Sequence, residues 1–441
     1  MTMVDRSTEP APIETRDWDS LLPERQRLFE KQWKYLWQHS VFYRDKLSQA
    51  GLREDVVPNL SDLSQVPFTY KDDLRASQEA SPPFGHHLAV ERQELRQIQT
   101  SSGTTGKPMA IGLTSNDAEA SSEMLRRGYL AVGLRPGDIV LHAFSMSRAW
   151  IGGLPMVEGY IKMGATVLPI GAEAGRDKIL EMMKMFRPEA IAASPGFLLN
   201  LGLRARELGI DPHSLGLKHM LTGGEPGGGI PHVRKQISDM WNCPIREVMG
   251  GTDYYTLTWA ECPEHNGMHF VGTEFGWFEL VDPESGEPVD MKEGAVGELV
   301  YTHLQREAVP ILRFRHRDIV RITGMGPCSC GRSTPQIRCI GRADDMLIVK
   351  GVNLFPSAVR SVVAEHAGLG PEFRIVKPKG QYTLPGPLKL KVEADESIAI
   401  SAKDLAKSLQ QRLSVAFDVV FVARGSIANE NALKAGYFEE V

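Results

Sequence analysis

The chain has 441 residues, of which 42% are hydrophobic and 24% charged, and its formal net charge is −5. This length suggests two to four domains of about 100–200 residues each, and the composition is that of an ordinary globular protein. The mildly acidic charge and the lack of a long basic run argue against nucleic acid as the main partner.

Residues 22–49 predict one long amphipathic helix, because Leu28, Trp33 and Leu36 recur at helical spacing. Beyond it, strand and helix candidates alternate from residue 138 to residue 208. Such alternation is typical of a parallel sheet with helices on both faces. The strand candidates are residues 138–144, 166–170 and 190–193, and the helix candidates are residues 154–163, 176–186 and 196–208.

Shorter strand candidates at residues 295–302, 311–314 and 319–322 predict a small β subdomain. The pattern restarts near residues 341–345, where we expect a boundary between domains 1–341 and 342–441. The second domain is predicted to be α+β, with strands at residues 346–349, 373–376, 388–392 and 419–422 and helices at residues 356–366 and 402–413. The predicted fold class is therefore α/β, with a large N-terminal domain of parallel-rich sheets, flanking helices and a β subdomain, followed by an α+β C-terminal domain.

A strand candidate at residues 94–99 runs into the segment TSSGTTGKP at residues 100–108. Small residues let backbone N–H groups approach phosphate oxygens, hydroxyls add donors and a lysine adds charge. The segment is not a Walker loop, because Ser101 replaces a glycine of that pattern and Pro108 follows the lysine. A flexible polar turn is the alternative interpretation. The residues predicted to hold phosphate are Ser101, Ser102, Gly103, Thr104, Thr105, Gly106 and Lys107.

This segment is similar to the signature loop of the adenylate-forming superfamily, and its detail resembles the phenylacetate–CoA ligase branch. Further segments match the family in order along the chain. Residues 223–226 resemble its adenine-contacting turn, residues 249–253 its aromatic-Gly-x-Ser/Thr-Glu motif, residues 313–318 its ribose-binding segment and residues 341–356 its hinge motif. The resemblance covers nearly the whole chain.

The resemblance implies that ATP and Mg²⁺ activate a carboxylic acid as acyl-AMP, after which CoA collects the acyl group. It implies that Thr252 bonds the α-phosphate, that Asp253 holds Mg²⁺ and that Asp318 binds the ribose hydroxyls. Lys434 would stabilise the adenylation transition state, although an exposed tail lysine is the alternative. Asp344 would be the hinge about which a mobile C-terminal domain swings. The implied nucleotide contacts beyond the phosphate loop are Gly224, Glu225, Pro226, Gly250, Gly251, Thr252, Asp318, Arg342 and Asp344.

Two departures from the family pattern keep other functions open. Met249 replaces an aromatic residue, and Asp253 is one methylene shorter than the usual glutamate. A zinc-stabilised binding protein with degenerate catalysis is therefore one alternative. Another keeps the adenylation step but passes the acyl group to an amine, giving an amide-forming ligase.

Five cysteines, an odd number in a chain large enough to fold without disulfides, favour reduced thiols and a cytoplasmic location. Cys262, His269, Cys328 and Cys330 form a set suited to tetrahedral Zn²⁺, and some members of the resembling branch carry zinc at such a set. The expected role is structural, because no step requires a metal-activated water. His265 is a competing ligand, and four unconnected side chains are the other alternative.

The acid is expected at the carboxyl ends of the parallel strands. Phe144, Trp150, Tyr254 and Tyr255 could wall an aromatic or arylacetic acid there, and ordinary core packing is the alternative for each. The expected partners are thus a small carboxylic acid and CoA, or an amine acceptor, and a homodimer is left open. No apolar run of about 18 residues and no signal-peptide pattern occurs, so we expect no membrane partner.

Overall fold

The structure is a computed structural model that describes residues 8–101, 108–395, 398–427 and 436–441. The predicted helix at residues 22–49 is two helices, α1 (Leu22–His39) and α2 (Val41–Gln49). The break has a local cause, because Ser40 is extended and its hydroxyl accepts a hydrogen bond from the backbone N–H of Tyr43 at 3.3 Å. Ser40 is therefore the N-cap of α2. Helix α3 (Lys71–Ala80) follows.

An antiparallel hairpin of β1 (Gln97–Thr100) and β2 (Ala110–Leu113) precedes a parallel sheet. The strands of that sheet, in spatial order, are β7 (Ile245–Met249), β6 (His219–Thr222), β5 (Ala190–Ala193), β3 (Ile139–His142) and β4 (Thr166–Pro169). The helices between and before these strands are α4 (Ser115–Ala131), α5 (Leu154–Met163), α6 (Arg176–Phe186), α7 (Pro195–Glu207) and α8 (Pro231–Trp241). The predicted strand–helix alternation is confirmed.

The strands expected to form a β subdomain continue this sheet as its antiparallel half, giving eleven strands in all within the described residues. The six strands of this half are β8 (Trp259–Glu261), β9 (Met268–Phe270), β10 (Gly276–Val281), β11 (Val296–His303), β12 (Phe314–Gly324) and β13 (Gln336–Arg342). Only β11 and β12 correspond to predicted strands. The strand predicted at residues 311–314 is wrong for its first three residues, and only Phe314 lies in a strand, as the first residue of β12. Arg313 has a left-handed φ of 45°, so the extended backbone begins only after it.

The C-terminal part has its own buried cluster, which includes Phe373, Leu390 and Leu405. Its elements are β14 (Leu347–Val349), β15 (Val352–Leu354), α9 (Pro356–Val363), β16 (Leu369–Lys377), β17 (Thr383–Leu384), β18 (Leu388–Ala394), α10 (Ala402–Leu413), β19 (Phe417–Ala423) and β20 (Phe438–Glu440). Strand β20 was not predicted and pairs in parallel with β16. Among the described residues no helix combines the length and apolarity needed to cross a bilayer.

Candidate active site

The carboxyl ends of β6 and β7 bring two predicted ligand segments side by side. These strands pair in parallel, with Thr222 opposite Glu247, so residues 223–226 and residues 250–253 leave the same edge of the sheet. Ligands of open α/β sheets bind at this edge. The two segments are therefore neighbours in space, as the predicted nucleotide site requires.

The turn after β7 is tight, because there is no room for a side chain at Gly250 or Gly251. A Cβ at Gly250 would lie 2.7 Å from the carbonyl oxygen of Tyr255, and one at Gly251 would lie 2.9 Å from Nε2 of His316. The N–H of Gly251 also donates to the Tyr255 carbonyl at 2.9 Å. Only glycine fits such approaches, and the turn leaves Thr252 half-buried beside a buried acid.

That buried acid, Asp253, is paired with a lysine that the sequence did not suggest. Nζ of Lys71, the first residue of α3, donates to Oδ2 of Asp253 at 3.0 Å. The Asp253 side chain is 2% exposed. Burial alone would raise the pKa of Asp253, but Lys71 and His316 hold it below its usual value. Asp253 is therefore ionised at neutral pH.

Asp253 also meets the requirement for a Mg²⁺ ligand. Its second oxygen, Oδ1, is buried and has no hydrogen-bond partner among the described residues. A buried carboxylate oxygen without a partner is costly, and Mg²⁺ prefers oxygen ligands, often one or two carboxylates plus substrate phosphates. The residue thus fits the ion, with Lys71 as the cation already beside it.

The candidate ribose and hinge residues are joined by one arginine. Asp318 on β12 lies opposite Arg342 on β13, and Nη1 of Arg342 donates to Oδ1 of Asp318 at 3.1 Å. The other guanidinium nitrogens of Arg342 donate to both oxygens of Asp344 at 2.9 and 2.8 Å. His316 Nδ1 lies 2.6 Å from Oδ2 of Asp318. Asp318, Arg342 and Asp344 are thus brought together, and His316 is a neighbour that the sequence analysis missed.

The candidate adenine turn is fixed to the start of α7. A Cβ added to Gly223 would lie only 2.6 Å from the carbonyl oxygen of Val248, and Gly224 has a φ of 82°. Oε1 of Glu225 accepts from the N–H of Gly196 at 2.8 Å. Gly224 is exposed and Pro226 half-buried, so the turn presents its backbone, rather than the Glu225 carboxylate, to the edge of the sheet.

The hairpin of β1 and β2 holds the base of the candidate phosphate loop. The N–H of Ser101 donates to the carbonyl of Met109 at 3.0 Å, and its hydroxyl accepts from the N–H of Met109 at 3.0 Å. Thr100 donates to the carbonyl of Ala149 at 2.9 Å. The remaining predicted loop residues and the predicted C-terminal lysine lie outside the described residues; they are Ser102, Gly103, Thr104, Thr105, Gly106, Lys107 and Lys434.

The four aromatic side chains considered for the acid pocket divide into two groups. Phe144, Trp150 and Tyr255 share one buried cluster, and the Phe144 ring lies 3.9 Å from the ideal Cβ position of Gly224. Tyr254 belongs to a different cluster and stacks on Tyr301 with a centroid distance of 4.1 Å. Phe144 of the first group therefore adjoins the candidate adenine turn, whereas the ring of Tyr254 lies against Gly251.

The predicted zinc ligands form a cluster. One ligand atom from each of Cys262, His269, Cys328 and Cys330 lies within 4.8 Å of the others. The thiols of Cys262 and Cys328 are 3.8 Å apart, and Sγ of Cys330 is 3.4 Å from Nε2 of His269. Hydrogen bonds from Cys262 and His269 lower the pKa of Cys330, which favours its thiolate. Three sulfurs and one nitrogen at this spacing fit tetrahedral zinc.

His269 is better placed as the nitrogen ligand than His265. Nδ1 of His269 lies 3.2 Å from the carbonyl of Thr334, which orients Nε2 toward the thiols. The ring of His265 instead contacts the guanidinium of Arg234. The predicted set is therefore the one that the fold brings together.

Two family models match this chain. Residues 39–305 match the model described as AMP-binding enzyme, and residues 351–436 match the AMP-binding enzyme C-terminal domain. The chain belongs to the AMP-binding enzyme family. The predicted resemblance to adenylate-forming enzymes is thus confirmed, while the roles of individual residues stay predictions.

Curated relatives in this family include two phenylacetate–coenzyme A ligases. The Thermus thermophilus enzyme is 33% identical over 87% of this chain and 84% of its own length. The Escherichia coli enzyme is 30% identical over 98% of each chain.

Solved structures of 2-hydroxyisobutyryl-CoA ligase are also similar. The complex with R3-HIB-AMP, in the postadenylation state, has a TM-score of 0.90 at 28% identity, covering 99% of this chain and 93% of that one. The complex with 2-HIB-AMP and CoA, in the thioesterification state, has a TM-score of 0.73 at 28% identity, covering 99% and 95%.

Proposed function

We propose that this enzyme is an AMP-forming acid–CoA ligase for an aromatic or arylacetic acid. ATP and the acid give acyl-AMP and pyrophosphate, and the CoA thiol then displaces AMP to give acyl-CoA. The observation that carries the proposal is the grouping of Asp253, Asp318 and Arg342 around His316, next to the carboxyl edge of the sheet that Asp253 follows, in a chain whose curated relatives include phenylacetate–CoA ligases. The apolar group of Phe144, Trp150 and Tyr255 beside that edge favours an aromatic acid.

The adenylation step brings two anions together, so the site must supply positive charge and hydrogen-bond donors. In our proposal Thr252 donates to the α-phosphate. Asp318 accepts from the ribose hydroxyls and thereby fixes the nucleotide along β12. Lys434 stabilises the charge that develops as the carboxylate attacks phosphorus, and the loop from Ser101 to Lys107 holds the departing phosphates.

Asp253 is the proposed Mg²⁺ ligand. Mg²⁺ would neutralise charge on the phosphates of ATP. Lys71 keeps Asp253 ionised in its buried position, so the carboxylate is ready to bind a cation without first losing a proton.

The transfer to CoA would use a change in domain orientation about Asp344, with residues 1–341 as the fixed domain and residues 342–441 as the mobile one. The two structures of 2-hydroxyisobutyryl-CoA ligase differ in state, and this chain superposes with the higher TM-score, 0.90 against 0.73, on the postadenylation state. This supports an arrangement of the domains in which acyl-AMP has formed and CoA has yet to enter.

The zinc set would serve as a structural site that ties the segment between β8 and β9 to the segment before β13. All its ligands are protein groups, which is the pattern of closed structural sites. Its reduced thiols also favour a reducing compartment such as the cytoplasm.

The test is pyrophosphate release from ATP across a panel of aryl, arylacetic and short aliphatic acids. We expect release with aryl or arylacetic acids, followed by acyl-CoA formation when CoA is added. If no acid in the panel gives pyrophosphate release and the protein does not bind AMP, the proposal is wrong. If an amine accelerates AMP release and CoA does not, the acceptor assignment is wrong and the enzyme forms amides.

A second measurement tests Lys434. The Lys434→Ala variant should lose most of its pyrophosphate release and keep thioester formation from supplied acyl-AMP. Lys403→Ala, which changes another lysine of the C-terminal part, is the control. Equal loss in both half-reactions of the Lys434 variant rejects its role in adenylation.

A further inference from the structure

Two consecutive carbonyls just after the candidate adenine turn accept hydrogen bonds from arginines on different elements. Nε of Arg234, on α8, donates to the carbonyl of Gly228 at 2.8 Å. Nη1 of Arg338, on β13, donates to the carbonyl of Gly229 at 2.9 Å. Hydrogen bonds from an ionised donor are shorter and stronger than neutral ones, so each carbonyl is held firmly against its arginine.

Both arginines also contact residues 261–269, the segment that contains two of the four candidate zinc ligands, Cys262 and His269. Nη2 of Arg234 donates to both carboxylate oxygens of Glu261, at 2.9 and 2.7 Å, and Glu261 directly precedes Cys262. Nη2 of Arg338 donates to the carbonyl of His265 at 2.9 Å. Each arginine therefore connects the backbone of residues 228–229 to residues 261–265, at the end of β8 and just after it.

The bridge is short and largely shielded from water. Glu261 is 1% exposed and the Arg234 side chain 17% exposed. Oε2 of Glu261 also accepts from the N–H of Glu247 at 3.1 Å. The Glu247 carboxylate in turn lies 2.5 Å from the position that a Cβ at Gly229 would take. A displacement of one segment would therefore leave buried charged groups without partners, which is costly.

The cysteine–histidine set holds both ends of that segment. Cys262 opens it and His269 closes it, and His265 lies between them with φ of 58°. A non-glycine residue in this conformation persists where its surroundings impose it. An ion bound by Cys262 and His269 would fix the ends of the segment, and with them the carbonyl that Arg338 holds.

We propose that Arg234 and Arg338 are positioning residues that couple the metal site to the adenine-contacting turn, so that metal loading strengthens nucleotide binding. This inference rests on the proposed function for residues 223–226. The metal site then has a second role beyond stability. The metal site would fix the position of the backbone just after residues 223–226, and thereby the position of the turn that contacts the adenine.

The experiment uses the full chain, AMP as the probe, and isothermal titration of zinc-loaded and chelator-treated protein. Removing zinc from the wild type should weaken AMP binding about tenfold, the effect of losing roughly one charge-assisted hydrogen bond. The Arg338→Gln variant should bind AMP about tenfold more weakly with zinc present and lose most of its sensitivity to zinc removal, because only Arg234 still joins the two segments. Arg338→Lys, which can reach only one of the two carbonyls, should be intermediate.

Arg321→Gln is the matched control, because Arg321 is exposed and lies opposite Arg338 in the β12–β13 pairing. It should behave as the wild type. In turnover, Arg338→Gln should raise KM for ATP and leave KM for the acid and kcat close to wild type, which a general loss of structure would not do.

Two results that compare the variants with the wild type overturn the coupling. One is an AMP affinity in both Arg338→Gln and Arg338→Lys that equals the affinity of the zinc-loaded wild type. The other is zinc removal that weakens wild type and Arg338→Gln by the same factor. Wild-type protein that binds no AMP in either state overturns the proposed function and, with it, this inference. AMP binding that is intact but independent of zinc overturns the inference alone.

Discussion

The Lys71–Asp253 pair allows a prediction in which the sign of a pH effect can be worked out. The two charged atoms are 3.0 Å apart, with side-chain exposures of 36% for Lys71 and 2% for Asp253. An opposite charge at such a distance lowers the pKa of an aspartate by about 1–3 pH units. Because Lys71 is over a third exposed, solvent screening weakens this attraction, and removing the lysine leaves the buried carboxylate without its partner at a cost of roughly 1–3 kcal/mol.

In the wild type the pKa of Asp253 is below its usual value. Its ionisation therefore contributes stability that is present above about pH 3.9, the unfolded value, and is lost as the pH falls through the folded pKa. In Lys71→Met the balance moves toward burial, which raises the pKa of Asp253. The ionised carboxylate then costs stability at neutral pH, and that cost declines as the pH falls and the group takes up a proton.

We therefore expect Lys71→Met to be about 1–3 kcal/mol less stable than wild type at pH 7, the cost of leaving a buried polar group without its partner, with a smaller difference near pH 4. Urea unfolding followed by tryptophan fluorescence, at several pH values, measures this. In an Asp253→Asn background the same lysine change should cost much less at either pH. If Lys71→Met costs the same amount in both backgrounds and at both pH values, the pair does not stabilise the ionised carboxylate and the reasoning fails.

Three further predictions concern the rest of the site. Asp318→Asn should raise KM for ATP by about 10–100-fold, because hydrogen bonds to a charged group contribute about 1.5–3 kcal/mol, and steady-state pyrophosphate release checks this. Cys328→Ser should lower the zinc content of the untagged protein well below one ion per chain by mass spectrometry, whereas Cys243→Ser, at a buried thiol outside the cluster, should not. Gly251→Ala should destabilise the protein by about 1–3 kcal/mol through overpacking. Gly276→Ala, whose added Cβ would lie 3.7 Å from the carbonyl oxygen of Thr302, should cost less in the same urea unfolding measurement.

The sequence predicted the fold well where a periodic pattern decided the structure. Helices α5, α6 and α10 begin and end where their apolar spacing indicated. The errors lie where a single residue decides. Ser40 divides a continuous helical pattern because its hydroxyl caps the second helix, and the left-handed backbone of Arg313 delays β12. Patterns of hydrophobicity contain neither kind of information.

For the site, the sequence identified the residues that follow motifs and missed those that reach it from elsewhere. Asp253 and Asp318 stand in recognisable segments. Lys71 is 182 positions away from Asp253 in sequence and carries no local signal. His316 stood within a quoted segment, but its contacts with Asp318 and the glycine turn depend on the twist of β12. Long-range ion pairs of this kind require the sheet order, which the sequence did not provide.

Arg342 has a consequence for how the two proposed half-reactions are linked. Its guanidinium holds the proposed ribose ligand Asp318 with one nitrogen and the proposed hinge residue Asp344 with the other two. A rotation about Asp344 that moves its carboxylate must therefore change the contacts of Arg342, and any such change alters the charge facing Asp318. Nucleotide binding and domain orientation would then be coupled at a single side chain. Because coupling free energies are reciprocal, AMP bound at Asp318 would bias the orientation of the C-terminal domain as strongly as that orientation biases the binding of AMP.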